Sequence, residues 1–282
     1  MTLTLDRVEI ESAGSDPLAL ARALLAQLPD LDGRVPIDEI ALALDILSIE
    51  ERPFIGLEGC LQCDATKSHG LIVVNALSSP RRRRYTIGQE LGHFLNERHW
   101  PIDPAGFQCT RQDMATPRGP ERHLRQETEA NAFTIEVLTP RTLLGPHLRP
   151  GADLEHALAI AERFDISRAA AIRRYVALHT ECLAAVFSQN GIIRYVEKPA
   201  GFPATTRWSG DRIGPHPPPP GDGSFLTGLE EVAAASWLTS PDTHELFAQT
   251  LYQQDGFAIT LLLAEGHDEE RAPDWDSPRI RR

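Results

Sequence analysis

The feature that most constrains this chain is a pair of polar patterns, Gln89-Glu90-Leu91-Gly92-His93 and Glu127-Thr128-Glu129-Ala130-Asn131. Each sits in a stretch with helical periodicity. Residues 81–97, RRRRYTIGQELGHFLNE, and 121–138, ERHLRQETEANAFTIEVL, read as two helices. The polar stretch between them holds Pro101, Pro104, Pro117 and Pro120 and reads as a loop. On a helix, positions i and i+4 lie one turn apart on the same face. Two imidazoles at that spacing make a two-point zinc clamp, and a glutamate directly after the first can act as general base toward a water. The chain has Glu90 and His93 where this pattern wants them, and Gln89 where the first imidazole would stand. A helical zinc site needs a third protein ligand and leaves the fourth position to water. Glu127, on the second helix, is a reasonable third ligand, and Glu129 is the competing choice. Asn131 lies one turn beyond Glu127 and is placed to support it from behind.

Gln89 opens three alternatives, because zinc favours imidazole nitrogen and thiolate sulfur, whereas a carboxamide offers a neutral, weakly basic oxygen. Gln89 ligates weakly or leaves its place to water. Or His69, His99, His123 or Cys109 completes the site. Or the domain holds no metal and uses its fold for binding. The expected cofactor is therefore a zinc ion on His93, Glu127 and Gln89, held weakly or not at all.

The 282 residues suggest about two domains. Residues 16–28, DPLALARALLAQL, read as a helix with Asp16 as N-cap and Pro17 at the first helical position. A second helix fits VPIDEIALALDIL. Short apolar runs from 54 to 57 and 71 to 74 read as strands. Residues 153–164 and 167–179 form a helical pair. Beyond it, AAVFSQNGIIRYV and FAQTLYQQDGFAITLLL read as hairpins turning at Asn190-Gly191 and Asp255-Gly256. GPHPPPPGDGS between them reads as a loop or linker. The expected organisation is α+β, with a first domain over 1–148, a helical segment over 149–180 and a β-rich domain over 181–282.

Four segments resemble the ImmA/IrrE family of zinc metallo-endopeptidases. They are VPIDEIALALDI, GLIVVNALSSPRRRRYTI with Asn75, QELGHFLNE, and ETEANAFTIEVLTP, which is similar to the family's Glu-x-x-Ala-Asn-x-Phe-Ala signature. They cover about residues 35–140. The resemblance implies a zincin-like, gluzincin-type fold, with metal on His93 and Glu127 and Glu90 as general base. It also implies cleavage of a helix-turn-helix repressor of the Xre type in a bacterial stress or mobile-element response. Some members carry a helix-turn-helix-like segment and a GAF-like sensor domain after the peptidase, and the order here is similar. The rival reading is a catalytically impaired pseudo-peptidase that binds a repressor or another partner. A third reading is a DNA-binding regulator centred on 153–179, which carries Arg163, Arg168, Arg173 and Arg174.

Net charge is −12, and residues 221–282 hold 12 acidic and 4 basic side chains, so a whole-chain nucleic-acid binder is not expected. Arg81 to Arg84 stand at a helix start, where cations are disfavoured, which points to an acidic partner; the acidic C-terminal part is one candidate. Cys60-x-x-Cys63 has no second pair, so reduced, partly buried thiols are expected. Four cysteines in so long a chain make no disulfide framework. The N-terminus has no apolar core of a secretory signal and no run spans a bilayer, so the expected location is cytoplasmic, with no membrane partner.

Overall fold

The computed structural model describes residues 3–29, 31–101, 106–115, 119–213 and 223–266. It divides into two compact units, Met1–Arg149 with His156–Arg174, and Pro150–Glu155 with Tyr175–Arg282. Most of the helical pair thus groups with the first unit, where the sequence suggested a segment of its own.

The first unit opens with α1 (Arg7–Glu11), α2 (Pro17–Ala26) and α3 (Ile37–Ala43). Asp16 caps α2 by accepting from the Ala19 amide at 2.7 Å. The short α1, capped by Asp6, has too few residues to show a period and was not expected. α3 stops earlier than its apolar pattern suggests, because Asp45 adopts a left-handed backbone, φ +67°. The chain turns there into β1 (Ile46–Arg52), followed by β2 (Gly59–Cys63) and β3 (Gly70–Asn75). The run from 54 to 57, expected as strand, is instead a loop tied to Asn75. That side chain donates to the carbonyls of Phe54 and Leu57 and accepts from the Phe54 amide.

α4 (Pro80–Leu95) carries the first polar pattern; β4 (Phe107–Cys109), α5 (Arg111–Ala115), α6 (Glu121–Leu138) and α7 (Arg141–Leu144) follow. β4 and α5 lie in the stretch expected as loop; three and five residues are too few for periodicity to register. The sheet runs β1-β3-β2-β4, with β1 and β3 parallel and the other pairs antiparallel. α4 and α6 approach closely because Gly88 and Gly92 present no side chain. A Cβ at Gly88 would meet Thr134 Cγ2 at 2.8 Å, and one at Gly92 would meet Phe133 at 3.0 Å. Gly92 faces Ala130, the small residue of the second pattern.

α8 (Leu154–Arg163) and α9 (Arg168–Leu178) are broken by Asp165, again left-handed at φ +52°. Asp165 receives Arg34, Arg81 and Arg84, and Arg81 also pairs with Glu162 at 2.6 Å. This turn supplies the acidic partner that the arginine run called for.

The second unit contains β5 (Leu183–Gln189), β6 (Ile192–Glu197), β7 (Phe225–Leu226), β8 (Glu230–Glu231), β9 (His244–Tyr252) and β10 (Phe257–Gly266). Among the described residues the strand order is β6-β5-β10-β9-β7, with β8 also on β9. Both expected hairpins form. Asn190 and Gly191 take φ +50° and +73° between β5 and β6, the twist a two-residue turn demands. Val186, Ile193, Phe202, Leu238, Leu246 and Leu262 build the core on one face. The proline-rich GPHPPPPGDGS falls almost wholly outside the described residues, as does the acidic end of the chain. No helix among the described residues is long and apolar enough to cross a membrane.

Candidate functional site

The close helix pair brings the two polar patterns together. His93 Nε2 lies 3.3 Å from Glu127 Oε1, and both side chains are almost fully buried. Gln89, on the same face one turn earlier, donates from Nε2 to Glu127 Oε2 at 2.7 Å. Its Oε1 accepts from the Cys109 thiol at 2.9 Å, so the amide bridges α6 and β4. His123, one turn before Glu127 on α6, stands 3.7 Å from Glu127 Oε1 and 3.1 Å from Asp113. The His93 ring stacks on Phe107 of β4 at 4.7 Å.

Glu90 is wholly buried, and neither carboxylate oxygen has a hydrogen-bond partner among the described residues. Burial, then the charges of Glu127 and Asp113, pushes its carboxyl well above the ordinary range. The Cys109 thiol is raised for the same reasons, burial first and then Glu90, Glu127 and Asp113. A buried, unpartnered carboxylate is expensive, and folds usually retain one only where something else uses it.

The donors can be tested against zinc. Zinc binds nitrogen and oxygen at about 2.0–2.2 Å in a tetrahedron, which sets two ligands about 3.3 Å apart. His93 Nε2 and Glu127 Oε1 have that separation. A divalent cation there would stand among the crowded carboxyl groups of Glu90, Glu127 and Asp113. These two donors fit. The third corner differs: among the described residues, no group of three or more His, Cys, Asp and Glu is gathered to hold a metal. At that corner stands the Gln89 amide.

The other sequence candidates take different places. His99 and Glu129 lie behind His93. His99 Nδ1 contacts His93 Nδ1 at 3.0 Å, and His99 Nε2 contacts Glu129 Oε2 at 2.8 Å. Burial, then the neighbouring His93, lowers His99 to about 2, which keeps its ring neutral. His69 is exposed in the β2–β3 turn. Asn131 accepts from Tyr85 and donates to the Asp113 carbonyl at 2.7 Å. Cys60 and Cys63 are free, half-buried thiols.

Lys67 is a member of the site region that motif reading missed. Its Nζ donates at 2.7 Å to the carbonyls of both His93 and Asn96, closing the C-terminal end of α4. Burial lowers it to about 8. No local pattern marks it, because it reaches α4 only through the β2–β3 turn. Among the arginines of the helical pair, Arg174 pairs with Glu136, and Arg163 pairs with Asp32 at 3.0 Å.

A mixed sheet packed on α4, with α6 on α4, thus brings an imidazole and a carboxylate together between two helices. Residues 59–175 match the model of the Peptidase_M78 family, described as the IrrE N-terminal-like domain. In fold, the chain is similar to a solved Mycobacterium tuberculosis transcriptional regulator, with a TM-score of 0.54 over 90% of each chain and 13% identity. No curated protein matches the sequence.

Proposed function

We propose that this chain is a zinc-dependent endopeptidase of the ImmA/IrrE type whose substrate is a helix-turn-helix repressor, so that cleavage relieves repression. The observation that carries the reading is Glu90, buried with both carboxylate oxygens unpartnered beside the converging His93 and Glu127. The Peptidase_M78 match over residues 59–175 supports it. His93 and Glu127 would hold the metal; Gln89 would be a weak third donor with its amide turned over, since its oxygen accepts from Cys109 and its nitrogen faces Glu127. Zinc, when bound, supplies Lewis-acid polarisation of the scissile carbonyl and makes water a better nucleophile. Glu90 would take a proton at its carboxylate and hand it to the leaving amine; its raised proton affinity suits both steps. The Phe107 ring and the α4–α6 contact exclude bulk water from the His93 side. The β-rich part from about residue 181 would carry the sensing or regulatory role.

The test is cleavage of a co-encoded helix-turn-helix repressor by the full chain, compared with Glu90→Gln. Cleavage by the parent alone is expected. Equal cleavage by both would remove Glu90 from the chemistry.

A second reading is favoured by the Gln89 bridge. Because Gln89 already donates to Glu127 and accepts from Cys109, hydrogen bonds can hold the site together without metal. In that reading the domain binds its repressor partner without cutting it. A repressor held by the parent chain and by Glu90→Gln alike, and intact in both, would select it.

A further inference from the structure

We propose that His123 supplies the third strong metal donor, so that the two-point clamp stands on α6, as His123 and Glu127, with His93 of α4 opposite. This rests on the reading of His93 and Glu127 as ligands and says which side chain completes them. Residues four apart on a helix lie one turn apart on the same face, and His123 and Glu127 have that spacing. It is the spacing that fails on α4, where Gln89 stands four residues before His93.

Both imidazoles face the same carboxylate atom. His93 Nε2 is 3.3 Å from Glu127 Oε1, and His123 Nδ1 is 3.7 Å from that oxygen. The first distance is an edge of a zinc tetrahedron and the second is slightly longer. The His123 ring is also held from its far side. Its Nε2 lies 3.1 Å from Asp113 Oδ1. The other oxygen of Asp113 accepts from the Thr110 amide at 2.9 Å and from the Thr110 hydroxyl at 2.6 Å. A carboxylate on the second nitrogen of the imidazole is the common support of a metal-binding histidine. Gly119 leaves room for the ring, since a Cβ there would meet His123 Cδ2 at 3.0 Å. The placement holds whichever nitrogen of either ring carries the proton. Among the described residues the three side chains are not yet gathered about one point. Closing the site takes a swing of the His123 ring. With 23% of its side chain exposed, against 1% for His93 and 4% for Glu127, it is the one with open space beside it.

Gln89 competes poorly for the same role. Both ends of its amide are engaged, and ligation through the oxygen gives up the contacts to Glu127 and Cys109 together. Imidazole nitrogen is also the better zinc donor. With His123 in place, Gln89 borders the fourth position, the one a helical zinc site leaves to water.

The test loads the 15N-histidine-labelled full chain with 113Cd, which splits the signal of each ring nitrogen it binds. Two split histidine signals are expected, one of them absent in His123→Asn. Zinc affinity, read by competition with a chelator, should fall in His123→Asn by more than the roughly 10–100-fold typical of outer-sphere changes, in Asp113→Asn by about 10–100-fold, and in Gln89→Ala by less than about 10-fold. A single split signal in the parent would overturn the proposal. So would two split signals that both survive His123→Asn, or a larger loss in Gln89→Ala than in His123→Asn. If a variant fails to fold, the number of split signals in the parent decides. Metal held through His93 alone overturns the proposal and leaves the zinc reading of the site standing. A chain that takes up neither cadmium nor zinc removes that reading, and the proposal with it.

Discussion

The two units bury polarity in opposite ways. Among the described residues of the second unit the buried polar side chains are Ser188, Thr205, Gln249 and Thr260, all uncharged. Gln249 accepts from the Leu154 amide and donates to Asp153, and Thr260 pairs with Thr250. The Thr205 hydroxyl alone is left over among these four. In the first unit, Glu90, Glu127, Asp113, His93, His99, Lys67 and Arg84 are all buried. Within that unit a second contrast appears. At the Asp165 turn three arginines meet one carboxylate, whereas between α4 and α6 carboxylates crowd together with one of them unpartnered. Matched charges hold a fold together. A mismatched set costs stability, and its retention marks the place where the chain does something other than fold.

The largest effect expected from breaking this contrast is at Glu90. Glu90→Gln should lower repressor cleavage by about 10²–10⁴-fold, read from initial rates. The same change should help the metal-free fold at neutral pH. The carboxyl is raised in the folded state, so the folded chain keeps a proton that the unfolded chain releases. Stability is therefore fully present below the ordinary glutamate range and is lost as pH rises toward the raised value. Denaturant midpoints from about pH 5 to about pH 8 should fall more steeply for the parent than for Glu90→Gln.

Next in size is Gln89→His, which supplies the missing imidazole. Zinc affinity should rise by more than the roughly 10–100-fold typical of outer-sphere changes, read by competition with a chelator. An unchanged affinity would mean that position 89 does not face the metal.

The matched region should respond with the opposite pH sign. Hydrogen bonding from Arg81 lowers the Glu162 carboxyl. For Asp165, burial pushes upward, but hydrogen bonds from Arg34 and Arg81 outweigh it and the net shift is downward. Their contribution is present above the ordinary carboxylate values and is lost as pH falls through the lowered ones. Asp165→Asn keeps a residue that tolerates the left-handed turn and should cost about 1–2 kcal/mol at neutral pH. Denaturation should show that the difference from the parent shrinks in acid. The smallest effect is expected in the second unit. Asn190→Ala, at φ +50° in the β5–β6 turn, should cost about 1 kcal/mol or less by the same measurement.

Helix α6 and both hairpins were legible because period and turn chemistry are local: the span 121–138 is the one the pattern suggests, and Asn190-Gly191 turns where that dipeptide should. The convergence of His93 with Glu127 was legible for another reason. Gly88, Gly92 and Ala130 are the small residues that let the two helices meet, and they sit inside the same patterns. What was not legible depends on contacts far apart in the chain. Lys67 reaches α4 from a strand turn, Cys109 meets Gln89 through a three-residue strand, and Asp165 collects arginines from positions 34, 81 and 84. The acidic end of the chain lies outside the described residues; the described carboxylates that meet the arginine run are Asp165, Glu162 and Glu51, each brought there by the fold.

The proposed function requires that His93 and Glu127 share one zinc ion beside Glu90. The most direct measurement is zinc titration of the metal-stripped full chain, with His93→Ala and Gln89→His in parallel. Saturation at one zinc per chain is expected in the parent, with loss of that site in His93→Ala and tighter binding in Gln89→His. A chain that takes up no zinc even as Gln89→His, or whose zinc survives His93→Ala, would contradict it.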